Sequence, residues 1–239
     1  MLAYHRRPAS GEGIGRPGIV FLGGFASDMT GTKAVWLEAW ARASGRAFLR
    51  FDYTGHGASS GRFEDGCIGD WARDAADALT RLTEGPQVLV GSSMGGWIAL
   101  LTARARPERV AGLVGIAAAP DFTEDLMWAG FDADQRAALT RDGRLALPNP
   151  YGDAPTIITR RLIEDGRAHL VLRRPLPVPG RVRLLQGTAD TDVPASTALR
   201  LLGHLGTADA RLTLVKDADH RFSGPPELEL IGQAVAEVG

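Results

Sequence analysis

Short hydrophobic runs alternate along the chain with longer segments whose apolar positions recur every three or four residues. The runs at 18–22, 46–52, 88–90, 110–118, 181–186 and 211–216 are short and mostly rich in Val, Ile and Leu, and they read as buried strands. Helical spacing appears at 33–44, where Trp36 and Trp40 are expected to form a core-facing stripe, and at 70–82, where Trp71, Ala75, Ala78 and Leu82 do so behind Asp70 as N-cap. Further helices are expected at 97–103, 194–205 and 225–238, and a first strand near residues 4–8. Nearly continuous hydrophobic strands separated by helices mean a mostly parallel sheet wrapped by helices, an α/β fold. The alternation fails over about 121–179, where short amphipathic pieces surround the Pro-rich Leu147-Pro148-Asn149-Pro150-Tyr151. A small cap inserted into one domain spanning 1–239 is expected there.

One junction carries chemistry. Val88-Leu89-Val90 stops at Gly91-Ser92-Ser93-Met94-Gly95-Gly96, and a helix-compatible segment begins at Trp97. Strand, G-x-S-x-G turn and helix in immediate succession form a nucleophile elbow, which projects a serine above the end of a sheet. Ser93 is therefore the candidate nucleophile. The same pattern recurs at Gly57-Ala58-Ser59-Ser60-Gly61, but the polar loop after it has no helical period. Ser59 is expected to be a turn serine.

Composition removes other classes. The chain has 239 residues, 44% hydrophobic and 23% charged, with a net charge of -1, which gives no electrostatic basis for binding nucleic acid. Cys67 is the only cysteine, so an intrachain disulfide and multi-cysteine zinc sites are excluded, and a reducing compartment is permitted. The first residues lack the apolar core of a signal peptide, and no run is long enough for a membrane span. A cytoplasmic protein is expected. Gly24 and Gly31-Thr32-Lys33 flank a polar loop, yet the Walker A spacing is wrong and Ala34 stands where that motif needs Ser or Thr.

The partners for Ser93 are sought beyond the other strand ends. Asp190 lies in the loop after 181–186, and His220 comes just after 211–216. Asp192, Asp217 and Asp219 are nearby alternatives for the acid: Asp192 is expected to help start the next helix, and Asp219 adjoins the histidine too closely to face it. His56, between two glycines, is expected to be a loop residue near the rim of the site rather than the base. Backbone N–H groups of Phe25, in the loop after 18–22, and of Met94 are the candidate oxyanion donors. Met127, Trp128 and Phe131 are candidate linings of an acyl pocket, although ordinary packing is the commoner use of such spacing. Arg160-Arg161 and Arg173-Arg174 are expected to be solvated.

The order Ser93, Asp190, His220 is that of the α/β hydrolases. The chain also resembles a narrower group, the abhydrolase-domain palmitoyl-protein thioesterases and acyl-glucuronide esterases with their bacterial relatives. The resemblance lies in Met29-Thr30-Gly31-Thr32-Lys33-Ala34, Arg50-Phe51-Asp52-Tyr53-Thr54-Gly55, 85–97 and Asp219-His220-Arg221. It implies an α/β-hydrolase fold and cleavage of ester or thioester substrates, acylated protein among them. No mitochondrial presequence is expected from the first residues, and the chain departs from the group in Gly23 and Gln186, where the superfamily often has histidine, and in its cap. A serine acyl-enzyme mechanism needs no metal and no cofactor. The alternative is a non-catalytic ligand binder or interaction protein on the same fold.

Overall fold

The computed structural model describes residues 1–148 and 154–239. In chain order its regular elements are β1 (Tyr4–Arg7), β2 (Gly18–Leu22), α1 (Thr32–Ala43), β3 (Phe48–Phe51), α2 (Ile68–Leu82), β4 (Gln87–Ser92), α3 (Met94–Ala105), β5 (Val110–Ile116), α4 (Ala133–Asp142), β6 (Arg144–Leu147), β7 (Thr156–Thr159), α5 (Arg160–Ala168), β8 (Arg181–Gly187), α6 (Ala195–His204), β9 (Ala210–Val215) and α7 (Pro225–Val238). Seven strands form one sheet in the order β1-β3-β2-β4-β5-β8-β9; β1 runs antiparallel to β3 and the other pairs are parallel.

The two-residue period of the strands divides the core. Val20, Leu22, Leu89, Leu113 and Leu184 face α2 and α3 with Trp71, Trp97 and Ile98, whereas Ile19, Phe21, Val88, Val90 and Val114 face α1 and α7 with Leu37, Ile231 and Val235. Each such side chain contributes about 1.5 to 3 kcal/mol on burial. The strand order reverses between β2 and β4: β3 lies on one side of β2, and β4 on the other. Open parallel sheets bind ligands at such a switch point, beyond the strand carboxyl ends.

Local readings of two helices need correction. On α1 the fully buried positions are Ala34, Leu37 and Ala41. Trp36 and Trp40 are half-buried on the flank, against Gly232 of α7, where an added Cβ would stand 2.7 Å from the Trp40 indole nitrogen. They seal a seam between helices instead of forming the core stripe. On α2 the N-cap is Cys67, and Asp70 occupies the third helical position, where it accepts from the Cys67 thiol at 3.0 Å. Burial together with Asp70 pushes that thiol up to about 12, so it stays protonated and unreactive.

The segment between β5 and β8 departs from the alternation, as expected. It holds a π-helical stretch (Thr123–Trp128), α4 behind an Asp132/Gln135 capping box, the antiparallel pair β6 and β7, and α5. Of the Pro-rich stretch, 149–151 lie outside the described residues. Asp121, fully buried at a φ of 60°, accepts from the N–H groups of Val171 at 2.7 Å and Leu172 at 2.9 Å, and from Arg173 at 3.1 Å. Trp97 of α3 donates its indole N–H to the His169 carbonyl at 3.1 Å. The four arginines expected in solvent are exposed, and three of them also make ion pairs: Arg160 with Glu164 at 3.7 Å, Arg161 with Asp70 at 2.8 Å, and Arg173 with Asp121 and Asp125.

Candidate active site

The elbow is built as its sequence requires. Leu22, at the end of β2, lies beside Gly91, and the Ser93 N–H continues the sheet by donating to the Ile116 carbonyl at 2.9 Å. Ser93 itself has φ 54° and ψ -120°, a strained conformation for a residue with a side chain and one that clusters at functional sites. The flanking glycines answer to close approach: a Cβ at Gly91 would stand 2.3 Å from the Gly95 carbonyl oxygen, and one at Gly95 would stand 2.0 Å from that of Leu22. No side chain fits at either position.

Three strand ends converge on this serine. His220, five residues beyond β9, places Nε2 at 3.1 Å from Ser93 Oγ and Nδ1 at 2.9 Å from Asp190 Oδ2. Asp190, three residues beyond β8, is held from both sides. Its Oδ2 also accepts from Gln186 Nε2 at 2.9 Å, and its Oδ1 accepts from the N–H groups of Asp192 at 2.9 Å and Val193 at 2.8 Å. Burial alone would raise the Asp190 pKa, but the His220 contact and these donors hold it below the ordinary carboxylate value. An ionised Asp190 keeps the proton on Nδ1 and leaves Nε2 free to accept from Ser93.

The alternative acids are thereby separated. Asp192 contributes a backbone N–H to Asp190; since α6 starts at Ala195 with Pro194 as N-cap, Asp192 does not cap that helix. Asp217, at φ 62°, is exposed, and Asp219 Oδ1 accepts from the Phe222 N–H at 3.1 Å.

Near the candidate oxyanion loop, a Cβ at Gly24 would come within 3.5 Å of the Ser93 Cβ, so the backbone between Gly23 and Phe25 runs against the nucleophile. Met94 is the first residue of α3, and its N–H has no intrahelical acceptor. The Phe25 ring lies in edge contact with Phe63 at 4.9 Å, Phe122 at 5.5 Å and Trp71 at 6.0 Å. Phe122 in turn meets Trp97 at 5.7 Å. This aromatic wall is not legible as a unit in the sequence, because its members come from separate stretches of the chain.

Other sequence candidates find different places. His56 is buried rather than on the rim, boxed by Trp71 at 5.0 Å, Phe63 at 5.1 Å and Tyr53 at 5.5 Å. Burial lowers its pKa despite the Thr54 carbonyl, so it is a neutral packing residue with no contact to Ser93. Ser59 is indeed a turn serine: it donates to the Asp52 carbonyl at 2.6 Å and accepts from the Ala3 N–H at 2.8 Å. Trp128 is sandwiched by the guanidinium groups of Arg167 at 4.8 Å and Arg136 at 5.4 Å, and Phe131 is buried beside it. Met127 is half-buried against the cluster that includes Met94 and Trp97. A cavity of about 610 Å³ opens at the opposite, amino-terminal ends of the strands, lined by Arg6, Arg7, Arg16 and Gln87 among others, away from this constellation.

A family model described as the alpha/beta hydrolase fold matches residues 17–155. The rat mitochondrial palmitoyl-protein thioesterase ABHD10 is 37% identical over 231 residues, which are 96% of this chain and 76% of that protein. Among solved structures, a putative hydrolase from Agrobacterium vitis S4 superposes with a TM-score of 0.95 at 42% identity, covering 99% of this chain and 92% of that one. Mouse alpha/beta hydrolase domain-containing protein 10 superposes with a TM-score of 0.89 at 35% identity, with the same coverage. Among the described residues, no helix is long and apolar enough to cross a membrane.

Proposed function

The chain belongs to the α/β-hydrolase family, and from that premise we propose that it is a serine hydrolase cleaving carboxylic ester or thioester bonds through Ser93, His220 and Asp190. One observation carries the reading: a single imidazole spans the elbow serine at 3.1 Å and an ionised carboxylate at 2.9 Å. In the first half-reaction His220 Nε2 takes the Ser93 proton as Oγ attacks the acyl carbon, and Asp190 stabilises the resulting imidazolium. The oxyanion is held by the N–H groups of Phe25 and Met94; loss of one such donor costs about 3 to 4 kcal/mol in related chemistry. The imidazolium then gives its proton to the departing alcohol or thiol, leaving the acyl group on Ser93. Water, deprotonated by the same histidine, attacks the acyl-enzyme and releases the acid. No step calls for a metal or a cofactor.

The similarity to palmitoyl-protein thioesterases favours substrates with an apolar acyl group, acylated protein included. In this reading the half-buried Phe25 ring gives the apolar surface beside the oxyanion donors, backed by the buried Phe122 and Trp97, with Met127 contributed by the insertion, which acts as a cap over about 121–179. Trp128 and Phe131 meet each other, with Arg136 and Arg167 over the indole, which favours a packing role for this pair within the insertion. We keep a cytoplasmic location as a proposal distinct from the mitochondrial relatives, tested by cell fractionation. For the activity, the decisive test is labelling of Ser93 by a fluorophosphonate probe, followed by turnover of oxygen esters and thioesters of increasing chain length. Absence of labelling in folded protein would favour a non-catalytic ligand binder and overturn the reading.

A further inference from the structure

We propose that Lys33 is a positioning residue that ties the loop bearing Phe25 to the loop bearing His220. Its Nζ donates to the Arg221 carbonyl, one residue beyond the candidate base and 188 residues away in the chain. Lys33 is the second residue of α1, which begins immediately after the loop that leaves β2. One side chain therefore joins the two loops that must keep register during acyl transfer. This inference rests on the hydrolase reading and deepens it.

The placement of this lysine is otherwise unfavourable. A cation in the first turn of a helix opposes the helix dipole, and that turn contains no acidic residue. Burial pulls the Lys33 ammonium down to about 8; Asp219 favours its charge, and Arg221 opposes it. Other nearby carboxylates are already engaged, Asp28 with Thr30 and Glu38 with Arg50. A residue that goes against local preference on two counts is expected where it serves a site.

The receiving loop needs such a tie. It contains positive φ at Asp217 (62°) and Phe222 (46°), on either side of His220. Its moorings include, on the β8 side, the Asp217 N–H donating to Thr188 Oγ1 at 2.9 Å and the Ala218 carbonyl accepting from Ala189 N–H at 3.0 Å, and, within the loop, Asp219 holding the N–H of Phe222, whose ring is buried in the core. Lys33 adds the hold from α1. A charged donor makes a hydrogen bond about twice as strong as a neutral one, so loss of its proton loosens this hold without breaking the chain's packing.

The test compares wild type, Lys33→Met and Lys33→Arg. Three quantities are read: the rate of Ser93 labelling by a fluorophosphonate, kcat and KM on a p-nitrophenyl ester between about pH 6.5 and 9.5, and Tm. Misplacement of a catalytic group by about 1 Å costs on the order of 100-fold. Lys33→Met is accordingly expected to lower kcat and the labelling rate by about 10- to 100-fold, with KM changed less than about twofold and Tm equal or higher. Wild-type kcat should decline with an apparent midpoint near 8, the Lys33 value, and Lys33→Arg, which keeps its charge, should lose that decline. A wild type that labels at Ser93 alongside an equally fast Lys33→Met overturns this inference alone, as does a loss of activity that merely tracks a fall in Tm. If Lys33→Met does not fold, persistence of the alkaline decline in Lys33→Arg overturns it. A wild type that does not label overturns the hydrolase reading and this inference with it.

Discussion

Replacing Asp190 by Asn is the sharpest perturbation of the proposed machinery, because the substitution keeps shape and removes one acceptor. The carboxylate takes four donors: His220 and Gln186 on Oδ2, and the Asp192 and Val193 N–H groups on Oδ1. An amide has one acceptor oxygen. If that oxygen stays with the two backbone donors, the amide NH₂ faces Gln186 and the imidazole, and His220 must move its proton to Nε2, where it can no longer accept from Ser93. If the amide is flipped, two buried backbone donors lose their acceptor at about 1 to 3 kcal/mol each. The first arrangement costs fewer unpaired donors, so the wrong tautomer should prevail. The expected loss in kcat is about 10⁴-fold, the size seen when a triad aspartate is made an amide, equivalent to about 5.4 kcal/mol of transition-state stabilisation. The assay is steady-state turnover of a chromogenic ester, with circular dichroism confirming the fold. Asp192→Asn is the control and should remain within about threefold of wild type, since Asp192 serves Asp190 through its backbone. Folded Asp190→Asn with activity within tenfold of wild type would refute the assignment, and a greater loss in Asp192→Asn would move the acid to that position.

Ser93→Ala should lower kcat by about 10⁴- to 10⁶-fold, whereas Ser59→Ala should leave kcat nearly intact and cost about 1 to 3 kcal/mol in urea unfolding, because it removes bonds to the Asp52 carbonyl and the Ala3 N–H. Gly95→Ala would place a Cβ 2.0 Å from the Leu22 carbonyl oxygen and should destabilise the fold by about 1 to 3 kcal/mol or more, measurable as a lowered urea midpoint. The Asp190 carboxyl is held below its unfolded value, so its contribution to stability is complete above the ordinary carboxylate range and is lost as pH falls through the depressed folded value. Urea titrations from about pH 7 to 3 should therefore show the stability difference between wild type and Asp190→Asn shrinking only at the acid end. Turnover should be unchanged by EDTA; full loss with rescue by one divalent metal would contradict the serine mechanism.

Much of this arrangement is legible in the chain itself. The elbow can be read because strand, glycine-flanked serine and helix are contiguous, and Asp190 and His220 because each lies just beyond a hydrophobic run. Ser59 and Ser93 share one pattern, and only the periodicity of the segment C-terminal to each serine distinguishes them. The failures share a cause. Cys67 does not stand out as the cap of α2, since Asp is the commoner cap and local pattern places a first turn only to within a few residues. Trp36 and Trp40 show helical spacing, but spacing cannot distinguish a face toward the sheet from one toward α7. His56 reads as a loop residue near the rim because its box of Tyr53, Phe63 and Trp71 closes only when the loop folds back on α2. Arg161 and Arg173 are exposed, as expected, while their pairing with Asp70, Asp121 and Asp125 depends on distant segments that no local rule reveals.

The ties that hold the segment inserted after β5 have a consequence for how this enzyme scaffold can diversify. Trp97 of α3 reaches across to the carbonyl of His169, and within the insertion Asp121 reaches the N–H groups of Val171 and Leu172. In these three bonds the partner at residues 169, 171 and 172 is main chain. The identities of residues 169, 171 and 172 do not determine whether these bonds can form, provided proline is absent from the two donor positions. Their backbone would remain attached at the same points while neighbouring side chains turned over by mutation. A lineage could thus rewrite what the insertion presents to a substrate without first solving again how the insertion is held.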